Sequence, residues 1–588
     1  MKALKYLNKY FFKYRYRLIL GVVTTIIARI FSLFTPRLIN KSLTAVENYT
    51  KGTITDLQVV KDELLLNILM IVGAVILSGV FTFIMRQTII VMSRYIEFDL
   101  KNEIFEHYEK LSLKFYKKNR TGDLMNRISE DVGKVRMYFG PAIMYSINMI
   151  TLFVIVIANM LRIDSTLTLY TLLPLPVLSV LIYILSRVIN TRSRIVQEYL
   201  SKLTTQVQEV FSGVNIIKAY GIEKPTLQSF NTLAITSKEK NVSLYKAQAL
   251  FFPMMLLLIG ISNILVIYIG GTRYINGDIQ SFGVIAEFII YVNMLTWPVA
   301  VVGWVTSIVQ QAETSQKRIN EFLNQKPDIV NTTDEHSIIN GKIEFKNVSF
   351  TYDDTGIKAL DTISFTLESG KTLAILGKTG SGKSTLIGLI ARLYDIDKGQ
   401  LLIDDKKIYD INLTDLRSSI GYVPQDGFLF SDTIKNNINF GDKDATDAEI
   451  IIAAKNAYIH HNIDEFNEKY ETLVGERGVT LSGGQKQRIS IARAIIANPQ
   501  ILIFDDCLSA VDTETEEIIL NNLENVSKDK TTIIVSHRVS SAKNADMIIV
   551  LDEGKIVQKG THEQLSNQKG YYQEIYSQQL TEQSSEEH

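Results

Sequence analysis

The chain has 588 residues, a formal net charge of zero (62 Lys and Arg against 62 Asp and Glu) and 46% hydrophobic residues. This length predicts several domains, and the balanced charge argues against a nucleic-acid-binding protein. Because Cys507 is the only cysteine, no internal disulfide is possible, which fits a globular part in a reducing cytosol.

The first 310 or so residues are predicted to enter a membrane. Residues 1–17 contain six Lys and Arg and no acidic residue, which indicates a basic amphipathic segment on the inner membrane face. Six apolar segments then approach or exceed the length of about 20 residues that crosses a bilayer. They are 18–38, 64–85, 141–161, 165–186, 249–271 and 282–306.

The connections between these segments predict the orientation of the chain. Segments 86–140 and 187–248 are long, charged and net basic, whereas the other connections are shorter. Basic loops stay on the cytoplasmic side, so both long loops and both termini are expected there. Both loops also show helical spacing of apolar residues, which predicts that the membrane helices continue past the bilayer as rods.

The remainder of the chain is predicted to be a soluble α/β domain. Short β-rich runs alternate with helices from Ile343 onwards, and this alternation predicts a mainly parallel sheet flanked by helices. We therefore expect a six-helix transmembrane domain over 18–312, a linker over 313–342 and an α/β domain over 343–588. MIIVLDEGKIV is expected to form a strand.

A phosphate-binding loop follows the predicted strand KTLAIL. The stretch GKTGSGKS has the form G-x-x-x-x-G-K-S between a strand and a helix, where backbone N–H groups and the helix N-terminus favour phosphate. Lys383 is expected to reach the β- and γ-phosphates of a nucleotide, and Ser384 to bind Mg²⁺. The predicted ATP-binding residues here are Gly377, Lys378, Thr379, Gly380, Ser381, Gly382, Lys383, Ser384 and Thr385.

Two further motifs complete the predicted nucleotide site. The apolar strand ILIFD delivers Asp505 to the metal, since a buried carboxylate is costly without a cation or a partner. LSGGQ stands before the predicted helix KQRISIARAII, where glycines and a serine at a helix start suit an anion. The residues of LSGGQ are Leu481, Ser482, Gly483, Gly484 and Gln485.

Together these motifs resemble the ATP-binding cassette (ABC) family over essentially the whole chain. Six membrane segments with two long cytoplasmic loops and one cassette resemble a half-transporter of the exporter fold. FYKKNRTGDLMNRISEDVGKV and EVFSGVNIIKAYGIEK are similar to the intracellular loops of that group. The resemblance implies a multi-pass protein of a bacterial inner membrane, with ATP and Mg²⁺ as ligands, no nucleic acid, and a lipid bilayer and a small hydrophobic substrate as partners.

The resemblance also assigns roles to individual residues. Tyr352 is expected to stack on adenine, Gln425 to contact Mg²⁺ and the attacking water, and His537 to contact the γ-phosphate. LSGGQ is expected to act on the ATP of a second chain, which makes dimerisation obligatory. The loop that crosses between the two cassettes is expected to consist of Ser509, Ala510, Val511 and Asp512.

One position departs from the family pattern. The residue after Asp505 is usually a glutamate that orients or deprotonates the attacking water, and here it is Asp506. Aspartate is one methylene shorter, and a misplacement of about 1 Å can cost on the order of 10²-fold in rate. The chain thus resembles the Asp-bearing half of heterodimeric bacterial multidrug exporters, with slow hydrolysis at its own site. The alternatives are a homodimeric lipid or multidrug exporter, a regulatory half that mainly binds ATP, and an importer with the exporter fold.

The membrane segments contain few clues to the substrate. Arg29 and Glu287 fall inside the first and sixth predicted segments, where charges are costly and usually face a cavity or each other. We hypothesise that the two residues line the transport cavity or pair across helices; alternatively, Arg29 extends to the membrane interface.

Overall fold

A computed structural model describes residues 2–475, 478, 481–508 and 513–586 of the chain. It divides into two compact units. The membrane unit consists of Met1–Tyr108 and Gly122–Gln325, and the cassette unit consists of Glu109–Thr121 and Lys326–His588.

All regular secondary structure among the described residues of the membrane unit is helical. Its helices are α1 (Asn8–Lys13), α2 (Arg15–Ser32), α3 (Phe34–Thr50), α4 (Leu57–Lys110), α6 (Thr121–Asn126), α7 (Val132–Met137), α8 (Ile143–Ile163), α9 (Ser165–Leu172), α10 (Pro174–Ser212), α11 (Val214–Tyr220), α12 (Glu223–Ala249), α13 (Phe251–Ile275) and α14 (Gly283–Leu323). A 3₁₀ turn, Ala3–Leu7, precedes α1, and π-helical turns cover Arg127–Asp131 and Tyr138–Ala142. Helix α5 (Leu113–Lys118) belongs to the cassette unit.

Five helical spans among the described residues are long and apolar enough to cross a membrane. They are Arg15–Thr50, Leu57–Lys110, Thr121–Ile163, Glu223–Ile275 and Gly283–Leu323. The fourth predicted segment, 165–186, is also helical, over α9 and the first part of α10, but is not among these five. The long loops are helical, as predicted: α4 and α10 continue unbroken from the predicted membrane segments into them. Helix α12 lies in the second loop and ends at Ala249, just before α13.

The basic N-terminal segment packs on the protein with its apolar side. Leu7 and Tyr10 are buried. The ammonium group of Lys9 lies 2.5 Å from Glu103 on α4, and the hydroxyl of Tyr10 donates to the same carboxylate at 2.6 Å. These contacts join the segment to the C-terminal part of α4.

The cassette unit contains two sheets. Its strands are β1 (Ile343–Thr351), β2 (Lys358–Leu367), β3 (Thr372–Gly377), β4 (Lys398–Ile403), β5 (Lys406–Lys407), β6 (Ile420–Val423), β7 (Ile501–Asp505), β8 (Thr531–Val535), β9 (Met547–Asp552) and β10 (Lys555–Gly560). The larger sheet has the order β10-β9-β3-β8-β7-β6 and the smaller the order β2-β1-β4-β5. Their facing side chains form a large buried core around Ile343, Phe345 and Ile375.

The predicted parallel sheet is present, but two expectations were incomplete. The pairs from β9 to β6 are parallel, whereas the smaller sheet is antiparallel. MIIVLDEGKIV is a hairpin and not one strand, because Glu553 and Gly554 adopt positive φ angles of 45° and 77° and reverse the chain between β9 and β10. A two-residue turn with both φ angles positive matches the twist of paired strands.

Nine helices accompany the strands of the cassette unit among the described residues after β3. They are α15 (Lys383–Ile390), α16 (Leu413–Ser418), α17 (Ile434–Asn439), α18 (Asp447–Asn456), α19 (His460–Asp464), α20 (Gly483–Ile496), α21 (Thr513–Val526), α22 (His562–Ser566) and α23 (Tyr571–Glu586), with 3₁₀ turns at Ile408–Asp410 and Lys469–Glu471. Glu516 attaches α21 to the segment after β8. Its buried carboxylate accepts hydrogen bonds from Arg538 and, at 2.6 Å, from Ser541.

Removing the Glu516 carboxylate is expected to loosen α21. Glu516→Ala leaves Arg538 and Ser541 without their partner, and loss of one member of a buried ion pair costs about 3 kcal/mol. The amide hydrogens of α21 should then exchange roughly 100-fold faster in mass spectrometry. The exposed neighbour provides a control, Glu517→Ala, and equal exchange rates in the two variants would contradict this role of Glu516.

Candidate active site

The loops after three adjacent parallel strands meet at one edge of the larger sheet. Ile375 of β3 lies in register with Val535 of β8, which lies in register with Asp505 of β7. Ligands of open α/β sheets bind at the carboxyl ends of the strands. The pairing therefore brings the predicted phosphate loop, the segment around His537 and the two aspartates to the same edge.

The phosphate loop requires its glycines. Gly377 and Gly382 adopt φ angles of 148° and 103°, which L side chains rarely adopt. A Cβ atom at either position would also collide with a backbone carbonyl, that of Leu551 or that of Ala359. The loop thus has a backbone shape that other residues cannot form.

The polar groups of this loop face inward. The buried Lys383 donates from Nζ to the carbonyl oxygens of Gly377 at 2.8 Å and Lys378 at 3.0 Å. Burial lowers the pKa of Lys383, and the charges of Asp506 and Asp505 oppose that shift. The buried hydroxyl of Ser381 has no hydrogen-bond partner among the described residues. This enclosed set of donors is suited to an anion with several oxygens.

Ser384 and Asp505 bring two oxygen ligands together. The Ser384 hydroxyl donates to Asp505 Oδ1 at 3.3 Å, across 121 positions of the chain. Asp505 is only 4% exposed, and burial raises its pKa. A hydroxyl and a buried carboxylate without an ion pair among the described residues fit a hard divalent cation such as Mg²⁺.

Asp506 occupies a constrained backbone position beside this pair. Its φ angle is 46°, in the left-handed region, and its N–H donates to the carbonyl of Val535 at 2.9 Å. Gln425 Nε2 donates to Asp506 Oδ2 at 3.4 Å. Burial raises the pKa of Asp506, and His537 nearby opposes that shift. Burial and the charge of Lys383 lower the pKa of His537, against the effect of Asp506, which favours the neutral imidazole at pH 7.

Tyr352 links the nucleotide site to the first long loop. Its hydroxyl lies 2.9 Å from the hydroxyl of Thr385, in the helix that follows the phosphate loop. Its ring packs edge-on against Tyr394, and the ammonium group of Lys117 on α5 lies 5.1 Å from both ring centres. On the same helix, Lys114 forms an ion pair with Asp353 at 2.5 Å.

LSGGQ begins α20 with a capping box. The Ser482 hydroxyl accepts from the Gln485 N–H at 3.3 Å, and the Gln485 side chain accepts from the Ser482 N–H at 2.9 Å. This arrangement fixes the start of a helix whose N-terminus attracts anions. Among the described residues, no hydrogen bond or ion pair joins LSGGQ to the phosphate loop of the same chain. The predicted crossing loop, Ser509, Ala510, Val511 and Asp512, lies outside the described residues.

Arg29 and Glu287 do not pair with each other. Arg29 donates from Nε to Asn148 at 2.5 Å. Glu287 is 2% exposed and accepts from Asn40 and from Tyr291, both at 2.6 Å. Because Asn40 lies on α3, Glu287 does make a contact across helices, but with a neutral partner.

Two contacts of the site were not found from the sequence. Gln579 on α23 accepts from the N–H of Val539 at 2.8 Å and donates to the carbonyl of His537 at 3.2 Å. Lys117 packs on Tyr352, as described above. Lys117 lies in the stretch that is similar to the intracellular loops of the exporters, but nothing in that stretch indicates its partner. Each residue lies far along the chain from the group it contacts, so no local pattern could have indicated the contact.

Comparisons with known proteins agree on both halves of the chain. Residues 18–299 match the model of the ABC transporter transmembrane region, and residues 360–509 match the ABC transporter model. A probable multidrug resistance ABC transporter ATP-binding/permease protein of Bacillus subtilis, YheI, is 34% identical over 98% of this chain and 97% of its own. The chain belongs to the ABC transporter family.

Other relatives place this ABC transporter among the exporters. The multidrug resistance-like ATP-binding protein MdlA of Buchnera aphidicola is 35% identical over 98% of both chains. An ATP-dependent lipid A-core flippase of Haemophilus influenzae is 32% identical over 87% of both chains. The structure of a bacterial Atm1-family ABC exporter with ATP bound superposes with a TM-score of 0.79 at 26% identity, covering 96% of this chain and 98% of the other.

The resemblance found in the sequence and the predicted fold class are thus confirmed at the level of the family. The ABC exporter has a helical transmembrane domain fused to an α/β cassette, binds nucleotide and is an ATPase and translocase of a membrane. ABC exporters act as dimers within the membrane, so a second exporter half is needed.

Gln579 is expected to position His537 for catalysis. Gln579→Ala removes two hydrogen bonds to the backbone around His537, each worth roughly 1 kcal/mol, so kcat for ATP should fall about three- to tenfold while KM changes little. Steady-state ATPase kinetics of the assembled transporter test this, with Gln578→Ala on the exposed side of α23 as the control. Equal kcat values for the two variants would contradict it.

Proposed function

We propose that this ABC exporter is one half of a heterodimer that exports hydrophobic, drug-like or lipid compounds from a bacterial cell. The relatives named for multidrug resistance and for lipid A-core flipping support this substrate range. In this proposal the transporter lies in the inner membrane, with its cassette and both termini in the cytoplasm. The basic long loops and the basic N-terminal segment support that orientation.

The proposed reaction is phosphoryl transfer from ATP to water, with in-line attack at the γ-phosphate. Lys383 leaves its contacts with Gly377 and Lys378 to hold the β- and γ-phosphates, and the glycine-rich backbone surrounds them. Tyr352 stacks on adenine. Ser384, Asp505 and Gln425 would hold Mg²⁺, which would supply positive charge to neutralise the phosphates.

Three further residues position the attacking water. Asp506 orients the water or takes its proton. Gln425 holds the Asp506 carboxylate through a hydrogen bond. His537, neutral at pH 7, donates a hydrogen bond to the γ-phosphate. Each of these residues lies at the carboxyl edge of the larger sheet, and this convergence is the observation that carries the proposed ATPase reaction.

A second chain completes the site in this proposal. LSGGQ has no contact with its own phosphate loop among the described residues, and its capped helix start is available for an anion from elsewhere. The tip of the second long loop also supports a partner. Helix α11 has no buried residue, and Ile216 and Tyr220 on it are 62% and 78% exposed. Apolar side chains exposed at the end of a rod indicate a protein contact.

The length of the Asp506 side chain favours a heterodimer over a homodimer. A carboxylate one methylene short, with its oxygen 3.4 Å from Gln425, suits a site that holds ATP and hydrolyses it slowly. The complete LSGGQ would then serve the phosphate loop of a second chain that bears glutamate. A homodimer is the second candidate, because the contact of Asp506 with Gln425 and the presence of His537 leave the site otherwise complete.

Replacement of Asp506 separates these two assemblies. The proposal predicts that Asp506→Glu, purified without a second chain, hydrolyses ATP no faster than the unchanged protein, because no complete site forms. Affinity purification from native membranes should recover a second exporter half that restores hydrolysis. ATPase activity in nanodiscs is the measurement, and exposed Asp410→Glu is the control.

A gain of about 100-fold for Asp506→Glu alone would contradict the heterodimer. It would mean that the chain forms complete sites with its own copies and that only the missing methylene slowed it.

A further inference from the structure

The membrane unit contains a cavity of about 870 Å³ between α10 and α14. This volume is in the range of small-molecule binding sites. Side chains that line it recur three or four positions apart on each helix, so each helix presents one continuous face. Neither Arg29 nor Glu287 lines this cavity.

The lining changes from apolar to cationic along the helices. Ile182, Val299 and Val302 lie towards one end. Arg187, Arg194 and Gln310 lie towards the other, and no acidic residue is among the described side chains that line the cavity. The two arginines are seven positions apart, which places them about 10 Å apart along the same face of α10.

The two guanidinium groups are available for a ligand. Both arginines are exposed, and among the described residues neither forms an ion pair. Arg192, on another face of α10, instead donates to the carbonyl of Ser243 at 2.5 Å. The acid nearest to Arg194 along α10, Glu198, is paired with Lys202 at 2.9 Å. Glu198 also interacts electrostatically with Arg194, one turn away, but it does not line the cavity. The described side chains that line the cavity therefore carry a net positive charge.

The position of the charge along α10 indicates the shape of the ligand. The predicted fourth membrane segment ends at residue 186, so Arg187 begins the cytoplasmic part of the helix. The apolar end of the cavity is then at the depth of the bilayer, and the cationic end is at the boundary with the cytoplasm. A molecule that fits both ends has an apolar chain and an acidic head group.

We propose that this cavity binds an anionic amphiphile, with its acidic oxygens on Arg187 and Arg194 and its apolar chain against Ile182 and Val299. Guanidinium groups bind phosphate and carboxylate oxygens through paired N–H donors, which gives preference for an oxyanion. This inference rests on the proposed export function and narrows its substrate class from hydrophobic compounds in general to those with a negatively charged head.

Three detergents that share a dodecyl chain but differ in the charge of the head group test the preference for an anionic head. The full chain in nanodiscs, without nucleotide, is titrated below the micellar concentration with dodecyl phosphate, dodecylphosphocholine or dodecyltrimethylammonium. Binding is followed by the fluorescence of Trp297 and Trp304, the two tryptophans of the chain, which both lie on α14. Empty nanodiscs correct for partition into lipid. Inorganic phosphate alone, added at the same concentrations, identifies a site for a free anion.

Dodecyl phosphate is expected to bind about tenfold more tightly than dodecyltrimethylammonium. Arg187→Gln with Arg194→Gln should reduce this preference to less than twofold, whereas Arg187→Lys with Arg194→Lys should retain most of it. Lys238→Gln with Lys240→Gln removes the same charge from α12, outside the cavity, and should retain it fully. Gly303→Leu, where an added Cβ lies 3.6 Å from Ser186 Oγ, should weaken binding of all three detergents.

The inference is overturned if the three detergents bind equally, if the preference survives in the Arg-to-Gln variant, or if inorganic phosphate alone binds as well as dodecyl phosphate. Melting temperatures identify a variant that fails to fold. If the Arg-to-Gln variant does not fold, the variant with Arg187→Lys and Arg194→Lys decides whether the preference depends on positive charge at these two positions. Because the assay uses no nucleotide and measures detergent binding in place of hydrolysis, it succeeds or fails independently of the ATPase tests.

Discussion

The in-register pairing of β3, β8 and β7 is the constraint on which the nucleotide site depends. Backbone hydrogen bonds place Ile375, Val535 and Asp505 side by side, and the next residues of each strand end form the phosphate loop, the His537 segment and the aspartate pair. A shift of one residue in β7 would turn Asp505 to the opposite face of the sheet. The hydrogen bond from Ser384 to Asp505 depends on this register, because the two residues are 121 positions apart in the chain.

The surroundings of Tyr352 connect the cassette to the first long loop. Lys117 and Lys114 on α5 attach the first long loop to the cassette beside Tyr352, the residue proposed to bind adenine. A change in the position of Tyr352 therefore changes the surface on which that loop rests. The second loop ends in an exposed apolar helix, α11, whose proposed contact is a second chain. The first long loop thus contributes α5 to the cassette unit, and the second contains the exposed apolar helix that is proposed to contact a partner.

Patterns with short sequence separation were the most predictable. Strand–loop–helix order predicted the phosphate loop, and apolar length predicted six membrane segments, five of which lie in spans that are long and apolar enough to cross a membrane, because both patterns depend on neighbouring residues. The hairpin of β9 and β10 was missed because a Glu-Gly turn is weaker evidence than an unbroken apolar run. The partners of Glu287, Lys117 and Gln579 could not be predicted, since each contact depends on tertiary packing between distant segments. In the sequence, Arg187 and Arg194 indicated only that the second long loop is basic. The structure shows that both lie on one face of α10 and line the cavity.

The central claim is that this chain binds ATP with its own phosphate loop and completes the site of another chain with LSGGQ. Ser482→Arg tests it most directly, by measuring Mg-ATP affinity and ATPase activity of the assembled transporter. We expect the Ser482→Arg chain to bind nucleotide still, whereas Lys383→Ala abolishes this binding. Hydrolysis by the assembly with Ser482→Arg should fall to background. Persistent hydrolysis in Ser482→Arg would contradict a site shared between chains.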